Sequence, residues 1–266
     1  MLGWSINLFR VFGIRLVVHF SFFLLLAYVA WSGWSEAGWL GAAWSGAAVL
    51  ALFTCVVLHE LGHSLTARRY GIGVSRILLL PIGGMAEFDS IPRQPRRELL
   101  ITLAGPAVNF AIALMAGPFL PLSSLLASLQ TTGDIPLNLT GLALEVWLMN
   151  LLMGCFNLLP VFPMDGGRIL RALLAMRWPY LKATFWAATV GKVLAVAGIG
   201  VWVFVVHNYL GALLFSFIFV AGDLEYRAVK RREAAATQWD LLVRRISGPF
   251  EDGKGEVSTS LLHGPN

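Results

Sequence analysis

The uncharged, almost wholly apolar run from Gly41 to Leu58 restricts the fold of this chain more than any other feature. It approaches the roughly 20 residues that a helix needs to cross a hydrocarbon core about 30 Å thick. In hydrocarbon every backbone N–H and C=O must find its partner within the protein, which leaves helices and closed barrels as the spanning structures. The rest of the chain is consistent with this. It is 57% hydrophobic and only 13% charged, against about a quarter charged in soluble domains. Its mean hydropathy is +0.71, and its ten tryptophans suit the aromatic belts of a bilayer.

Six segments are predicted to span: residues 17–35, 40–67, 98–118, 140–160, 183–206 and 208–226. The fifth and sixth are separated only by His207 and Asn208. Basic residues test the order. Arg10 and Arg15 precede the first span; Arg68, Arg69, Arg76, Arg93, Arg96 and Arg97 lie between the second and third; Arg168, Arg171, Arg177 and Lys182 follow the fourth; and Arg227 begins the basic tail. The loops after spans one, three and five hold none. Positive charge collects on the cytoplasmic side, so both termini are expected there. The net charge of +5 is thereby a matter of topology, and no nucleic-acid partner is implied. Lys192, inside span five, is expected to snorkel to the cytoplasmic side, and Glu145 to sit near the outer interface. The expected fold is an all-α polytopic membrane protein of about six transmembrane helices over residues 1–227, with a short cytoplasmic tail over 228–266. Gly73 to Phe88 adds a small β hairpin or sheet around Pro81-Ile82-Gly83-Gly84, because Ile77-Leu78-Leu79-Leu80 is too short to cross. Cys55 and Cys155 fall in apolar helices and are expected to be buried hydrophobes rather than a disulfide. No cleavable leader is expected at the N-terminus.

Into the second span falls His59-Glu60-Leu61-Gly62-His63. Histidines four apart on a helix share a face, so both imidazoles can hold one zinc ion, and the glutamate between them can take a proton from an activated water. Catalytic zinc normally has three protein ligands. Asp165 is the best third candidate, in Pro163-Met164-Asp165-Gly166-Gly167 after the fourth span. Two prolines should break the helix just before it. Depth agrees: from Gly41 to His59, and from Gly141 to Pro160, the rise of 1.5 Å per residue carries both chains about 27–28 Å toward the same side. The alternative is that Asp165 caps the helix beginning near Gly167. His19, His207 and His263 read as interfacial, structural or solvated.

HELGH in the second span, Ala104-Gly105-Pro106-Ala107-Val108-Asn109 in the third, and Asn157…Pro160…Pro163-Met164-Asp165-Gly166-Gly167 after the fourth resemble the site-2 proteases. The likeness covers roughly residues 7–225 and is closest in form to the compact six-helix branch of the sporulation-factor proteases. It implies one zinc ion per chain held by His59, His63 and Asp165, with Glu60 as catalytic base and Asn157 near the substrate. Met164 stands where the family usually has leucine. Neither a PDZ domain nor a CBS pair is expected within this stretch. The implied substrate is a membrane-embedded protein segment with glycine, proline or polar residues near the cut, since a helix must open before its backbone can be hydrolysed. A regulatory membrane protein is an expected partner, and the implied location is the plasma membrane of a prokaryote. A transporter, or a non-catalytic membrane binding protein that keeps the fold, remains open at this point. So does a substrate-pairing role for the hairpin edge, against simple shielding of the site. The basic tail with Trp239, Leu241 and Leu242 reads as a solvated end or a surface helix.

Overall fold

The computed structural model describes residues 4–90, 93–120, 139–207 and 209–246. Asn138 of the sequon-like Asn138-Leu139-Thr140, Asn208 and His263 lie outside the described residues. The chain divides into two compact units, Met1–Leu159 and Pro160–Asn266.

The first unit opens with two strands, β1 (Ser5–Val11) and β2 (Ile14–His19), which pair antiparallel. Helix α1 (Phe20–Arg69) follows, then β3 (Val74–Leu80) and β4 (Gly83–Phe88). Helix α2 (Pro95–Ala116) and helix α3 (Leu139–Asn157) complete it. Helix α1 has 50 residues, but Ala37 and Gly38 leave helical geometry, and Gly38 has φ +63°. That region favours glycine, and the chain folds back there into two arms. A Cβ on Gly41 would lie 2.1 Å from the Gly33 carbonyl oxygen, so the arms touch through backbone. Among the described residues five helices are long and apolar enough to cross a membrane, and the bend at Ala37-Gly38 divides the first of them into two arms.

The expected hairpin is one half of a four-stranded sheet of order β1-β2-β3-β4. The N-terminal strands were not anticipated, because β2 overlaps the start of the first apolar run and its hydrophobicity reads equally as helix. β2 and β3 run parallel, with Val17 opposite Leu78. Parallel neighbours need a long crossover, and here the whole α1 hairpin makes it. Period-two alternation turns Ile14, Leu16 and Val18 of β2 and Ile77 and Leu79 of β3 to one face. That face packs on Phe22, Phe53 and Leu61 of α1. On the other face, Arg76 and Glu87 sit opposite each other and form two hydrogen bonds of 2.7 and 2.8 Å. The Arg76 guanidinium holds the Glu87 carboxyl below the usual carboxylate range, chiefly through those bonds.

The second unit comprises helix α4 (Asp165–Ala175), helix α5 (Tyr180–Phe204) and helix α6 (Tyr209–Ile246). α5 offers a face of small residues, Ala183, Ala187, Ala188 and Ala195, all buried. Phe162 packs against Ala187 and Ala188, and Val161 against Ala195. Such faces let membrane helices and loops approach closely, where packing replaces the hydrophobic drive. The Lys192 ammonium reaches Asp223 of α6 at 2.6 Å. Pairing with an opposite charge lowers the cost of an ionised group on an apolar helix. α6 continues as helix through the start of the basic tail to Ile246, about 57 Å in all at 1.5 Å per residue. Trp239, Leu241 and Leu242 on this extension are exposed. Cys55 is buried as expected, whereas Cys155 is exposed on α3 rather than buried; both are free thiols.

Candidate metal centre

The second arm of α1 presents three faces around HELGH. Phe53 and Leu61 pack on the sheet. Successive residues on a helix turn by about 100°, so His59 and His63 face α2 while Glu60 points toward β4. A Glu60 carboxylate oxygen accepts a hydrogen bond from the Ala86 backbone N–H at 3.2 Å. Gly84 makes room for it, since a Cβ there would meet Glu60 Cγ at 2.8 Å. The hairpin that the sequence reading placed near the site thus holds the glutamate directly.

His59 and His63 are buried, with their Nε2 atoms 3.1 Å apart. His63 Nδ1 lies 2.8 Å from the Ile101 carbonyl oxygen. His59 Nδ1 lies 2.5 Å from Asn109 Oδ1. Both partners are acceptors, which favours the Nδ1–H tautomer of each ring and leaves Nε2 as the atom able to accept a proton or bind a cation. Gly105 of α2 leaves the space open: a Cβ there would stand 2.2 Å from His63 Nε2 and 2.8 Å from His59 Nε2.

Asp165 is the first residue of α4 and is buried. Met164 occupies the N-cap position, and Asp165 stands in the first turn of α4. Its helix is pinned by Arg171, which is 1% exposed. The Arg171 guanidinium pairs with Glu225 of α6 at 2.5 Å and lies over the rings of Phe162 and Tyr180 at 5.3 and 5.1 Å. His59, His63 and Asp165 each offer one ligand atom within 4.8 Å of the others. Two imidazole nitrogens and a carboxylate oxygen, all buried, make a donor set that suits catalytic zinc.

Asn157 closes α3, half-buried, and is not one of these three ligands. Seven residues earlier on the same face, Asn150 is fully buried and bonded to Asn109. Neither asparagine was singled out as a site residue in its own right. A polar side chain in the middle of an apolar span is a functional candidate by default, and that signal marks both. His19 caps α1 by accepting from the Ser21 N–H at 3.2 Å, a structural role.

The pattern of peptidase family M50 matches residues 47–198. A zinc metalloprotease of Methanocaldococcus jannaschii is 38% identical over 86% of this chain and 62% of its own length. Rip3 of Mycobacterium tuberculosis, which is named as a zinc metalloprotease, is 32% identical over 80% of this chain and 56% of its own. Stage IV sporulation protein FB of Bacillus subtilis is 30% identical over 68% of this chain and 59% of its own. The chain thus spans less than two thirds of the length of these curated relatives. Among solved structures, a site-2 protease from Methanocaldococcus jannaschii aligns with a TM-score of 0.57 at 36% identity, covering 84% of this chain and 95% of that one.

Proposed function

Since the chain belongs to peptidase family M50, the site-2 protease family, we propose that it is a zinc metalloendopeptidase that hydrolyses peptide bonds in or near membrane-spanning segments of other proteins. The observation that carries the proposal is the buried His59, His63 and Asp165 group, its imidazoles tautomerically set to offer Nε2. These three residues would hold one zinc ion per chain. When bound, zinc supplies Lewis acidity, polarising the scissile carbonyl and bringing the pKa of a water toward about 7.

This chain's own groups perform the remaining steps. Glu60 takes a proton from the attacking water on a carboxylate oxygen, and the water oxygen forms its bond to the scissile carbon. The same carboxyl then gives the proton to the departing amide nitrogen as the C–N bond breaks. The Ala86 N–H, bonded to Glu60, keeps the carboxylate from wandering between those two transfers. Asn157, half-buried at the end of α3, is the group proposed to hydrogen-bond the opened substrate backbone. The cytoplasmic placement of both termini rests on the basic residues, which leave the loops after spans one, three and five bare. On that topology the site lies toward the cytoplasmic side of a prokaryotic plasma membrane, where water can reach it. The intact Glu60 favours an enzyme over a binding protein, and the three-ligand group favours it over a transporter.

The test is cleavage of a tagged membrane-spanning substrate in proteoliposomes. Hydrolysis that stops on chelation, returns with zinc and is absent from Glu60→Gln supports the proposal. Cleavage that persists in Glu60→Gln refutes it.

A further inference from the structure

The two imidazoles that face the proposed ion are held in their tautomers by different means. His63 Nδ1 meets a backbone carbonyl, Ile101 O, which only accepts. His59 Nδ1 meets the amide of Asn109, which has an accepting end and a donating end. Rotated by half a turn, that amide would present NH2 to Nδ1. The imidazole proton would then move to Nε2, the atom the ion needs. Something must therefore fix which end of Asn109 faces His59.

The hydrogen bonds behind it do so. Asn109 Nδ2 donates to Asn150 Oδ1 at 2.9 Å. Asn150 Nδ2 donates to the Val146 carbonyl oxygen at 2.7 Å and to Cys55 Sγ at 3.1 Å. The Val146 carbonyl can only accept, so it fixes the NH2 of Asn150 toward itself. Asn150 Oδ1 is left to face Asn109 and calls for the NH2 of Asn109. Asn109 Oδ1 is left to face His59. Both asparagines are fully buried, so water does not compete for either amide. The chain also closes on itself: Cys55 lies one turn before His59 on α1, so the relay joins α1, α2 and α3 around one ligand.

We propose that Asn150 is a positioning residue for the metal centre. Through Asn109 it sets the tautomer of His59 by a one-way relay that begins at the Val146 carbonyl. The proposal rests on the reading of His59 as a ligand. Outer partners of metal-bound histidines commonly control affinity by about 10- to 100-fold, and Asn150 does so here without touching the ligand itself.

Zinc affinity, measured on the purified full chain in detergent by competition with a chromophoric chelator, tests the relay through a double-mutant cycle. Asn150→Leu frees the Asn109 amide to rotate and is expected to weaken zinc by about 10- to 100-fold. Asn109→Asp puts an accepting oxygen at both ends and supplies its own reference affinity for the cycle. Adding Asn150→Leu to Asn109→Asp then costs no further affinity, because a carboxylate has no wrong end. The visible spectrum of the cobalt-loaded protein should follow the same order, altered in Asn150→Leu and restored in the double variant. Equal losses with Asn109 and with Asp at that position would mean that Asn150 merely packs, and no loss in the single Asn150→Leu variant would mean that it does not act on the site; either overturns the proposal. If Asn150→Leu fails to fold, histidine nitrogen NMR on the unmutated, metal-free chain decides instead. A proton on His59 Nδ1 is expected, and an Nε2–H tautomer overturns the relay. Wild type that binds no zinc would remove the ligand reading itself, a result distinct from zinc bound without coupling.

Discussion

Replacing Gly105 with alanine adds one methyl group at the most crowded point of the site. Its carbon would stand 2.2 Å from His63 Nε2, 2.4 Å from His63 Cε1 and 2.8 Å from His59 Nε2. Non-bonded carbon and nitrogen settle at roughly 3.5 Å, so the His63 ring must retreat by about 1 Å. It is not free to do so, because its Nδ1 is tied to the Ile101 carbonyl at 2.8 Å. The alternative is to push α2 from α1, which strains a contact where a Cβ on Gly62 would already meet Ala104 O at 2.6 Å. Overpacking of this kind costs about 1–3 kcal/mol. Metal–ligand distances tolerate only about 0.2 Å, so most of that strain should appear in binding. At 1.4 kcal/mol per decade, zinc affinity is expected to fall by about 5- to 150-fold. Chelator competition on the folded variant measures it, with thermal unfolding of the metal-free protein as the control. Wild-type affinity in Gly105→Ala would refute the argument that this glycine keeps the space beside the two Nε2 atoms open.

Three other outcomes follow from the same geometry. Glu60→Gln should bind zinc within a few-fold of wild type while cleavage falls by about 10²- to 10⁴-fold; chelator competition and proteoliposome assays on one preparation separate the two. Arg171→Leu takes away the partner of Glu225, which keeps 30% of its side chain in contact with solvent, and should destabilise the protein by about 1.5–3 kcal/mol, whereas Arg171→Leu with Glu225→Gln should cost clearly less; equal losses in denaturant titrations would deny the pair that role. The Glu87 carboxyl is held below its ordinary range by Arg76, so its contribution is full above the unfolded value and disappears as pH falls through the lower folded value. Glu87→Gln should therefore lower the melting temperature near neutral pH and close the gap in acid, and a gap independent of pH would contradict the pairing.

Much of this molecule is legible in its sequence, and the remainder is hidden for physical reasons. Apolar runs and the placement of arginines reveal the spans, because lipid imposes a length and charge collects on one side. HELGH and Pro163-Met164-Asp165 declare their chemistry because helical spacing and helix-breaking prolines are local properties. The four-stranded sheet is half hidden, since Ile14 to Val18 merges with the apolar run that follows and strand and helix look alike there. Ala37-Gly38, which turns α1 back on itself, is a break in backbone geometry with no polar marker strong enough to announce it. The pairing of Lys192 with Asp223 joins residues on two helices, and periodicity says nothing about which neighbours meet. The same holds for Asn109 and Asn150: each is visible as a polar residue in an apolar span, but that one orients the other emerges only when α2 and α3 lie side by side. The Glu60 contact with Ala86 is likewise a product of the parallel crossover that brings β4 to the catalytic helix.

The account stands on one ion bound by His59, His63 and Asp165. The most direct measurement is zinc content and zinc X-ray absorption of the freshly purified, detergent-solubilised chain beside Asp165→Ala. About one zinc per chain, with a first shell of two imidazole nitrogens plus oxygen near 2.0–2.2 Å, and markedly weaker binding in Asp165→Ala, is the predicted result. A folded wild type that takes up no zinc, or an Asp165→Ala variant that binds it unchanged, would contradict the account.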